Sequence, residues 1–148
     1  MKKFLSLAIL LIIISSCKKE EKQAEADEKI IQEYIAANNL DASRASSGLY
    51  YTIDKEGYGD YPSATSDVRV KYKGYLTNRN VFDESADEGV RFNLQRVISG
   101  WTEGIQLYKP GGKGVLLIPS ALGYGTKAQG SIPANSVLIF EIELKQVY

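Results

Sequence analysis

The 148-residue chain contains no histidine and only one cysteine, Cys17. The lack of histidine excludes the Ser/His/Asp and Cys/His catalytic arrangements, together with any metal site that needs an imidazole ligand. A single cysteine cannot form a disulfide within the chain, and no CxxC pair exists that could bind zinc or exchange disulfides. Any chemistry of this chain must therefore proceed without imidazole and without a thiol pair.

Charge balance and length narrow the range of possible functions and folds further. The 18 Lys and Arg residues equal the 18 Asp and Glu residues in number, and no basic run is interleaved with aromatics, so nucleic acid is not an expected partner. Hydrophobic residues make up 44% of the chain, which is enough apolar material for one core at this length. We expect one globular domain with short appendages and no cofactor.

The first 17 residues have the layout of a secretory signal. Lys2 and Lys3 precede an apolar run at 4–14, which is too short to span a bilayer as a mature helix. The sequence ISSC at 14–17 resembles the bacterial lipobox, whose cysteine is lipidated and becomes the first residue of the mature protein. The alternative is an ordinary signal peptide with an incidental cysteine, but Cys17 lies where cleavage is expected and nowhere else in the chain.

We therefore expect a lipoprotein signal peptide at 1–16, followed at 17–24 by the lipidated cysteine and a flexible, charged tether. Two or three acyl chains on Cys17 would anchor the protein stably to a membrane, whereas one chain binds only marginally. The sequence KKEE at 18–21 resembles an export signal of some surface lipoproteins of Bacteroidetes, although a solvated linker is at least as good an interpretation.

An amphipathic helix is predicted over 25–39, within an N-terminal helix and linker at 25–47. Apolar residues recur at helical spacing (Ile30, Ile31, Tyr34 and Ile35), and two asparagines at 38 and 39 offer a stop. Such a stripe more often packs on its own domain or on the helix of a second copy than binds a ligand. The helix is therefore expected either to pack on its own domain or to form a dimer with the same helix of a second copy.

Alternating apolar and polar residues predict strands with one buried face. The pattern is clearest at 68–72 and 138–144, and shorter strands are predicted at 49–53 and 115–118. Only one short helix is predicted between the strands, from Trp101 to Leu107, with Ser99 available near its start. The coarse architecture is a sheet with one small helix.

Five motifs in order identify a family resemblance. They are VRVKYKGYL at 68–76, VFDES at 81–85, FNLQRVISGWTEGIQL at 92–107, KGVLLIPSALGYG at 113–125 and IPANSVLIFEIELKQV at 132–147. Together they resemble the FKBP-type peptidyl-prolyl cis–trans isomerases. The helix at 25–39 and GLYYTI at 48–53 resemble the N-terminal extension of lipoprotein members from Bacteroidetes. An isomerase domain is therefore expected at 48–148.

The resemblance implies an α+β fold, in which a bent antiparallel β-sheet forms a half-barrel around one short helix and an N-terminal helical extension precedes it. A proline-binding pocket would lie between sheet and helix. Carried over position by position, its lining would be Tyr72, Phe82, Asp83, Phe92, Val97, Ile98, Trp101, Tyr124, Ile132 and Phe140. Read singly, these aromatic residues would be counted as core, and Asp83 and Tyr124 as turn or loop residues.

The resemblance also implies roles for these residues. Trp101 would form the pocket floor, the backbone N–H of Ile98 would hold the substrate, and the Tyr124 hydroxyl would bind a substrate carbonyl. Asp83 would orient neighbouring groups, including the Tyr72 hydroxyl. Expected ligands are proline-containing polypeptides of the bacterial cell envelope and macrolides such as rapamycin or tacrolimus. A binding or chaperone module with little turnover is the alternative.

The chain departs from the family pattern at three points. Many members have a cation in the loop after the FDxS motif, whereas the loop at 86–89 has none and Arg91 is the first basic residue. Ala134 replaces the second proline of the common IPP motif, and Ser131 stands where some members have isoleucine. These changes affect the electrostatics around Asp83 and the rim of the expected pocket.

Overall fold

The computed structural model describes the backbone of residues 2–148 and the side chains of residues 16–148. Residues 1–15 of the expected signal peptide, which include the first two residues of the lipobox, therefore fall outside the residues whose side chains are described. Among the described residues, the helices do not combine the length and the hydropathy that a membrane span requires.

The N-terminal helix α1 extends over Lys2–Asn38, so the prediction that a helix starts near Glu25 was wrong. Residues 17–24, expected as a flexible tether, continue this helix. The physical reason is that 18–28 consists almost entirely of Lys, Glu, Gln and Ala, which are strong helix formers, and no Gly or Pro precedes Gly48.

The end of α1 is defined by a left-handed residue. Asn39 has φ 52°, and the Leu40 N–H donates to the Ile35 carbonyl at 3.1 Å. Together with the longer bond from Asn39 N–H to the Ala36 carbonyl, this is the Schellman arrangement that satisfies the last helical carbonyls. The predicted stop at the asparagine pair is confirmed.

The strands of the described residues are β1 (Ser43–Arg44), β2 (Tyr50–Tyr51), β3 (Asp67–Tyr75), β4 (Val81–Glu84), β5 (Val90–Asn93), β6 (Lys113–Ile118) and β7 (Leu138–Val147). They form one antiparallel sheet in the order β1-β2-β6-β7-β3-β4, and β5 also pairs with β3. The long strands β3 and β7 pair along their length at the centre of the sheet. The predicted alternation at 68–72 and 138–144 is confirmed, whereas β2 is shorter than the predicted 49–53.

The short helix α2 comprises Ser99–Ile105 and packs against one face of the sheet. A Cβ at Gly100 would lie 2.5 Å from Ile118 Cγ2, and one at Gly104 would lie 2.8 Å from Leu116 Cδ1. The two glycines therefore allow the helix backbone to approach β6 closely. Ser99 is the first helical residue rather than a cap, since Ile98 precedes it and makes no capping hydrogen bond through its side chain.

The opposite face of the sheet is covered by α1. Ile31 and Tyr34 are buried in a second apolar cluster with Tyr50, Tyr75, Leu117, Val137 and Ile139. Residues on β6 and β7 alternate between this cluster and the one around α2, as period-two strand geometry requires. Three of the four stripe residues, Ile31, Tyr34 and Ile35, therefore pack on their own domain, whereas Ile30 is 37% exposed. Pairing of α1 between two copies stays a prediction. The expected α+β fold, an antiparallel sheet with a short helix and an N-terminal helix, is confirmed.

Candidate active site

A cavity of about 620 Å³ lies between α2 and the adjoining face of the sheet. All ten residues expected from the sequence line it: Tyr72, Phe82, Asp83, Phe92, Val97, Ile98, Trp101, Tyr124, Ile132 and Phe140. Arg96, Gln129 and Gly130 also line the cavity, and sequence reasoning missed them. Arg96 ends a short 3₁₀ helix at Leu94–Arg96, and Gln129 and Gly130 lie in the segment before Ile132. None of the three belongs to an apolar pattern that could have identified it. Ser131, noted as a departure from the family pattern, is a further lining residue.

Trp101 lies at the centre of an aromatic group and is only 4% exposed. Its ring meets those of Tyr72, Phe92 and Phe140 nearly edge to face, with centroids 5.1, 5.2 and 5.3 Å away. This arrangement places the positive ring edges against the negative ring faces and stabilises aromatic pairs. The buried indole N–H of Trp101 has no acceptor among the described residues. The floor of the cavity is therefore formed by packed aromatic rings around Trp101.

Phe82 and Phe140 form two walls of the cavity next to Gly74. The rings of Phe82 and Phe140 are 5.4 Å apart at 81°. A Cβ added to Gly74 would lie 2.6 Å from Phe140 Cε1 and 2.6 Å from Phe82 Cε2. The lack of a side chain at this position of β3 therefore allows both rings to take their places on the cavity wall.

Asp83 is the acidic residue of the cavity, and Tyr72 is its hydrogen-bond partner. The Tyr72 hydroxyl donates to Asp83 Oδ2 at 2.7 Å. Arg91, the first basic residue after the loop at 86–89, instead bonds Asp67 at 2.7 Å. Within the part of the chain that the structure describes, no basic side chain forms an ion pair with Asp83. The carboxyl group is therefore oriented by a neutral donor rather than neutralised by a cation.

Burial raises the pKa of Tyr72 to about 12, and the hydrogen bond to Asp83 adds to the effect. Since an ordinary tyrosine titrates near pH ~10, the contribution of this hydroxyl to folding stability is complete below about pH 10 and is lost as the pH rises through about 12. We expect the difference in ultraviolet titration between wild type and Tyr72→Phe to show this late ionisation. In Asp83→Asn the pKa should fall but stay above the ordinary value, because burial is the larger cause. A difference curve with its midpoint near pH ~10 would contradict this geometry.

Besides the indole N–H at the floor, two polar groups at the margin of the cavity have no hydrogen-bond partner among the described residues. The Ile98 carbonyl accepts hydrogen bonds from the Trp101 and Thr102 N–H groups, whereas no described residue accepts from the N–H of Ile98 itself. Tyr124 is 38% exposed, and its hydroxyl bonds no other described residue. It lies in the loop after a 3₁₀ helix at Ser120–Leu122. Both groups are thus available to a bound peptide.

Comparisons with known proteins agree with this geometry. The family model described as FKBP-type peptidyl-prolyl cis-trans isomerase matches residues 59–145, which is more than half of the chain. The FKBP-type peptidyl-prolyl cis-trans isomerase FkpA of Aeromonas hydrophila is 45% identical over 130 residues, which cover 85% of this chain and 48% of that protein. The chain therefore spans about half the length of this relative.

Two solved structures are also similar. A peptidyl-prolyl cis-trans isomerase from Pseudomonas syringae pv. tomato is 34% identical and superposes with a TM-score of 0.75, covering 86% of this chain and 94% of that one. FkpA from Escherichia coli is 35% identical with a TM-score of 0.74, and the match covers 99% of this chain and 70% of that one. The second match extends over the N-terminal helix as well as the sheet.

Proposed function

Because the chain belongs to the FKBP-type peptidyl-prolyl cis-trans isomerase family, we propose that its cavity accelerates rotation about X–Pro bonds in polypeptides. The observation that carries the proposal is the group of edge-to-face aromatic rings around Trp101, with two free polar groups at the margin. An apolar cavity of about 620 Å³ has the size typical of sites for small groups such as a proline and its neighbours.

The reaction suits a site without histidine. Rotation about the peptide bond has a barrier of roughly 18–20 kcal/mol because the amide is resonance-stabilised, and no covalent bond is made or broken. At the twisted transition state the resonance is lost, so the carbonyl oxygen carries less negative charge than in the planar amide. A water-poor, apolar cavity therefore favours the transition state over the ground state, which water stabilises better.

Each proposed role follows from that requirement. Trp101 forms the floor under the pyrrolidine ring, and Phe82, Phe92, Val97, Ile132 and Phe140 provide the apolar walls. The Ile98 N–H holds the peptide beyond the proline, and the Tyr124 hydroxyl donates to a substrate carbonyl. Asp83 fixes the Tyr72 hydroxyl and shapes the field at the rotating amide. A rate gain of about 10⁵ would need roughly 7 kcal/mol from these effects together.

A protease-coupled assay on peptides of the Ala-Leu-Pro-Phe type tests the proposal. We expect micromolar protein to accelerate the cis-to-trans step, and rapamycin or tacrolimus to inhibit it by occupying the cavity and changing the Trp101 fluorescence. Rotation at the uncatalysed rate would overturn the enzymatic proposal. If proline peptides still bound under those conditions, the chain would be the binding or chaperone module instead.

We expect Asp83→Ala to lower kcat/KM by about ten- to a hundredfold, because hydrogen bonds to charged groups contribute about 1.5–3 kcal/mol. Tyr124→Phe removes a neutral hydrogen bond of about 1 kcal/mol and should lower kcat/KM roughly fivefold. Asp87→Ala is the matched control, since Asp87 lies in the adjacent loop, bonds Lys71 and is largely exposed. Full activity in both Asp83→Ala and Tyr124→Phe would show that the assigned roles are wrong.

We further propose that the protein is a lipoprotein of the bacterial cell envelope, anchored through Cys17 to the outer membrane on its periplasmic or surface side. Cys17 is exposed and is the only thiol in the chain, so no structural or catalytic role competes with lipidation. Envelope proteins whose folding waits on slow X–Pro isomerisation, which takes tens to hundreds of seconds, are the proposed clients.

Replacement of Cys17 tests the anchor separately from the chemistry. In cells that process lipoproteins, we expect Cys17→Ser to move the protein from the membrane fraction to the soluble fraction, while kcat/KM stays unchanged. Fractionation, with mass spectrometry of the mature N-terminus, measures both the location and the lipid. An unlipidated wild type, or a variant that stays with the membrane, would contradict the proposal.

A further inference from the structure

Asp27 on α1 is a carboxyl group that is almost completely removed from solvent, with an exposure of 1%. Its Oδ2 accepts hydrogen bonds from the Ser120 N–H at 2.8 Å and from the Ser120 hydroxyl at 2.6 Å. Its Oδ1 accepts from Gln23 Nε2 at 2.8 Å. Burial of a carboxyl group is unfavourable unless hydrogen bonds replace water, and three such bonds do so here.

Ser120 connects this buried group to the Tyr124 loop. Its carbonyl accepts hydrogen bonds from the Gly123 N–H at 3.0 Å and from the Gly125 N–H at 2.8 Å. These two glycines flank Tyr124 on either side. A single residue, itself held by Asp27 through both its N–H and its hydroxyl, therefore bonds the chain immediately before and after the cavity tyrosine.

The Tyr124 loop has few other constraints. Gly125 has φ 59° and a Cβ there would have no neighbour within 4 Å, so the surrounding structure does not pack against it. Two other backbone bonds reach this segment, from the Asn135 N–H to the Gly125 carbonyl at 2.8 Å and from the Lys127 N–H to the Tyr124 carbonyl at 3.2 Å. The position of the Tyr124 hydroxyl therefore depends strongly on where Ser120 is held.

Attachment of α1 to the sheet does not by itself explain why a buried carboxyl group is present at Asp27, because other residues of the helix also contact the sheet. Ile31 and Tyr34 are buried in the apolar cluster on that face. Glu28, the next residue to Asp27, bonds Tyr50 and Arg44. Asp27 differs from these residues because its partner, Ser120, is hydrogen-bonded to the two glycines that flank the cavity residue Tyr124.

We propose that Asp27 is a positioning residue of the active site, acting through Ser120 to place the Tyr124 hydroxyl over the cavity. The inference rests on the proposed isomerase function. It implies that α1 contributes a positioning residue to the site and does not merely pack on the sheet. Removal of the Asp27 carboxyl group should loosen the loop and weaken the contribution of Tyr124 to catalysis.

Amide hydrogen exchange in the full chain tests the structural half of the proposal without reference to activity. We expect Asp27→Ala to raise the exchange rates of the Gly123 and Gly125 amides at least tenfold relative to amides in β7. Glu28→Ala is the matched control, since it removes a neighbouring acid that attaches α1 elsewhere, and it should leave these rates unchanged. Unchanged rates in Asp27→Ala would overturn the proposal. Should Asp27→Ala fail to fold, Asp27→Leu, which is close in size and has no acceptor for Ser120, is used for the same comparison.

A double-mutant cycle tests the catalytic half. Asp27→Ala should lower kcat/KM about fivefold in the wild-type chain and less than twofold in a Tyr124→Phe background, because its effect passes through the missing hydroxyl. Asp27→Asn keeps one acceptor oxygen for Ser120 and should recover part of the activity. Independent, multiplicative losses would show a merely structural role and overturn the proposal. An inactive wild type would instead overturn the proposed function, and the exchange rates would still report whether Asp27 holds the loop.

Discussion

Gly74→Ala is expected to lower kcat/KM on X–Pro peptides by on the order of 10²-fold, because displacements near 1 Å at a reacting site cost that much. The added Cβ would meet Phe140 Cε1 and Phe82 Cε2 at 2.6 Å each. Because an aromatic ring cannot be compressed, the rings of Phe82 and Phe140 must both shift, either into the cavity or away from it. Macrolide binding should weaken together with catalysis, since both use the same walls.

The control for this change is Lys73→Ala, which alters the adjoining residue of β3 on the exposed side. Its ion pair with Glu84 is exposed, and such pairs contribute little, so activity should stay near wild type. Circular dichroism and Tm should establish that both variants are folded before kcat/KM is compared. Wild-type turnover in a folded Gly74→Ala would show that the positions of these two rings do not matter to the reaction.

The largest loss of stability is expected from Gly114→Ala in β6. A Cβ at this position would lie 2.0 Å from the Thr52 carbonyl oxygen and 2.8 Å from Tyr108 Oη. These two groups are hydrogen-bonded to each other at 2.7 Å, and the Tyr108 side chain is buried, so neither can move freely. We expect a fall in the free energy of unfolding of about 3 kcal/mol or more, which corresponds to a fall in Tm of more than about 10 °C.

Gly59→Ala provides the comparison for Gly114→Ala. Gly59 has φ 80° and no neighbour near its would-be Cβ, so only backbone strain opposes the change, at about 1 kcal/mol. Denaturant unfolding of the two variants separates strain from steric overlap. Equal losses in both would show that the close approach of β6 to the segment at 52 is not tightly constrained.

Periodicity predicted the strands that bury one face along their length. Val68 and Val70 in β3 and the apolar residues of β7 alternate with polar ones, so their pattern reports the sheet directly. The start of α1 could not be predicted from the stripe at 30–35, because residues upstream of it favour a helix without contributing to the stripe. β1 at Ser43–Arg44 is exposed and only two residues long, so no apolar pattern marks it.

The cavity was predicted by the order of the motifs rather than by composition. Trp101 and Phe140, taken singly, would each be classed as core residues, and only their place among the five motifs identifies them as residues that line the cavity. No feature of the sequence identified Arg96 and Gln129 as lining residues. The bond between Asp27 and Ser120 joins residues 93 positions apart, and neither residue type nor local spacing indicates a partner at that distance.

Exchange NMR on a proline peptide tests most directly whether the cavity catalyses rotation. With substoichiometric protein and an Ala-Leu-Pro-Phe-type peptide at equilibrium, cis and trans resonances of the Leu–Pro bond should exchange within about a second, compared with tens to hundreds of seconds uncatalysed. Rapamycin or Gly74→Ala should suppress the exchange, whereas Lys73→Ala should not. Exchange at the uncatalysed rate with folded wild-type protein would contradict the assignment of this aromatic cavity as an isomerase site.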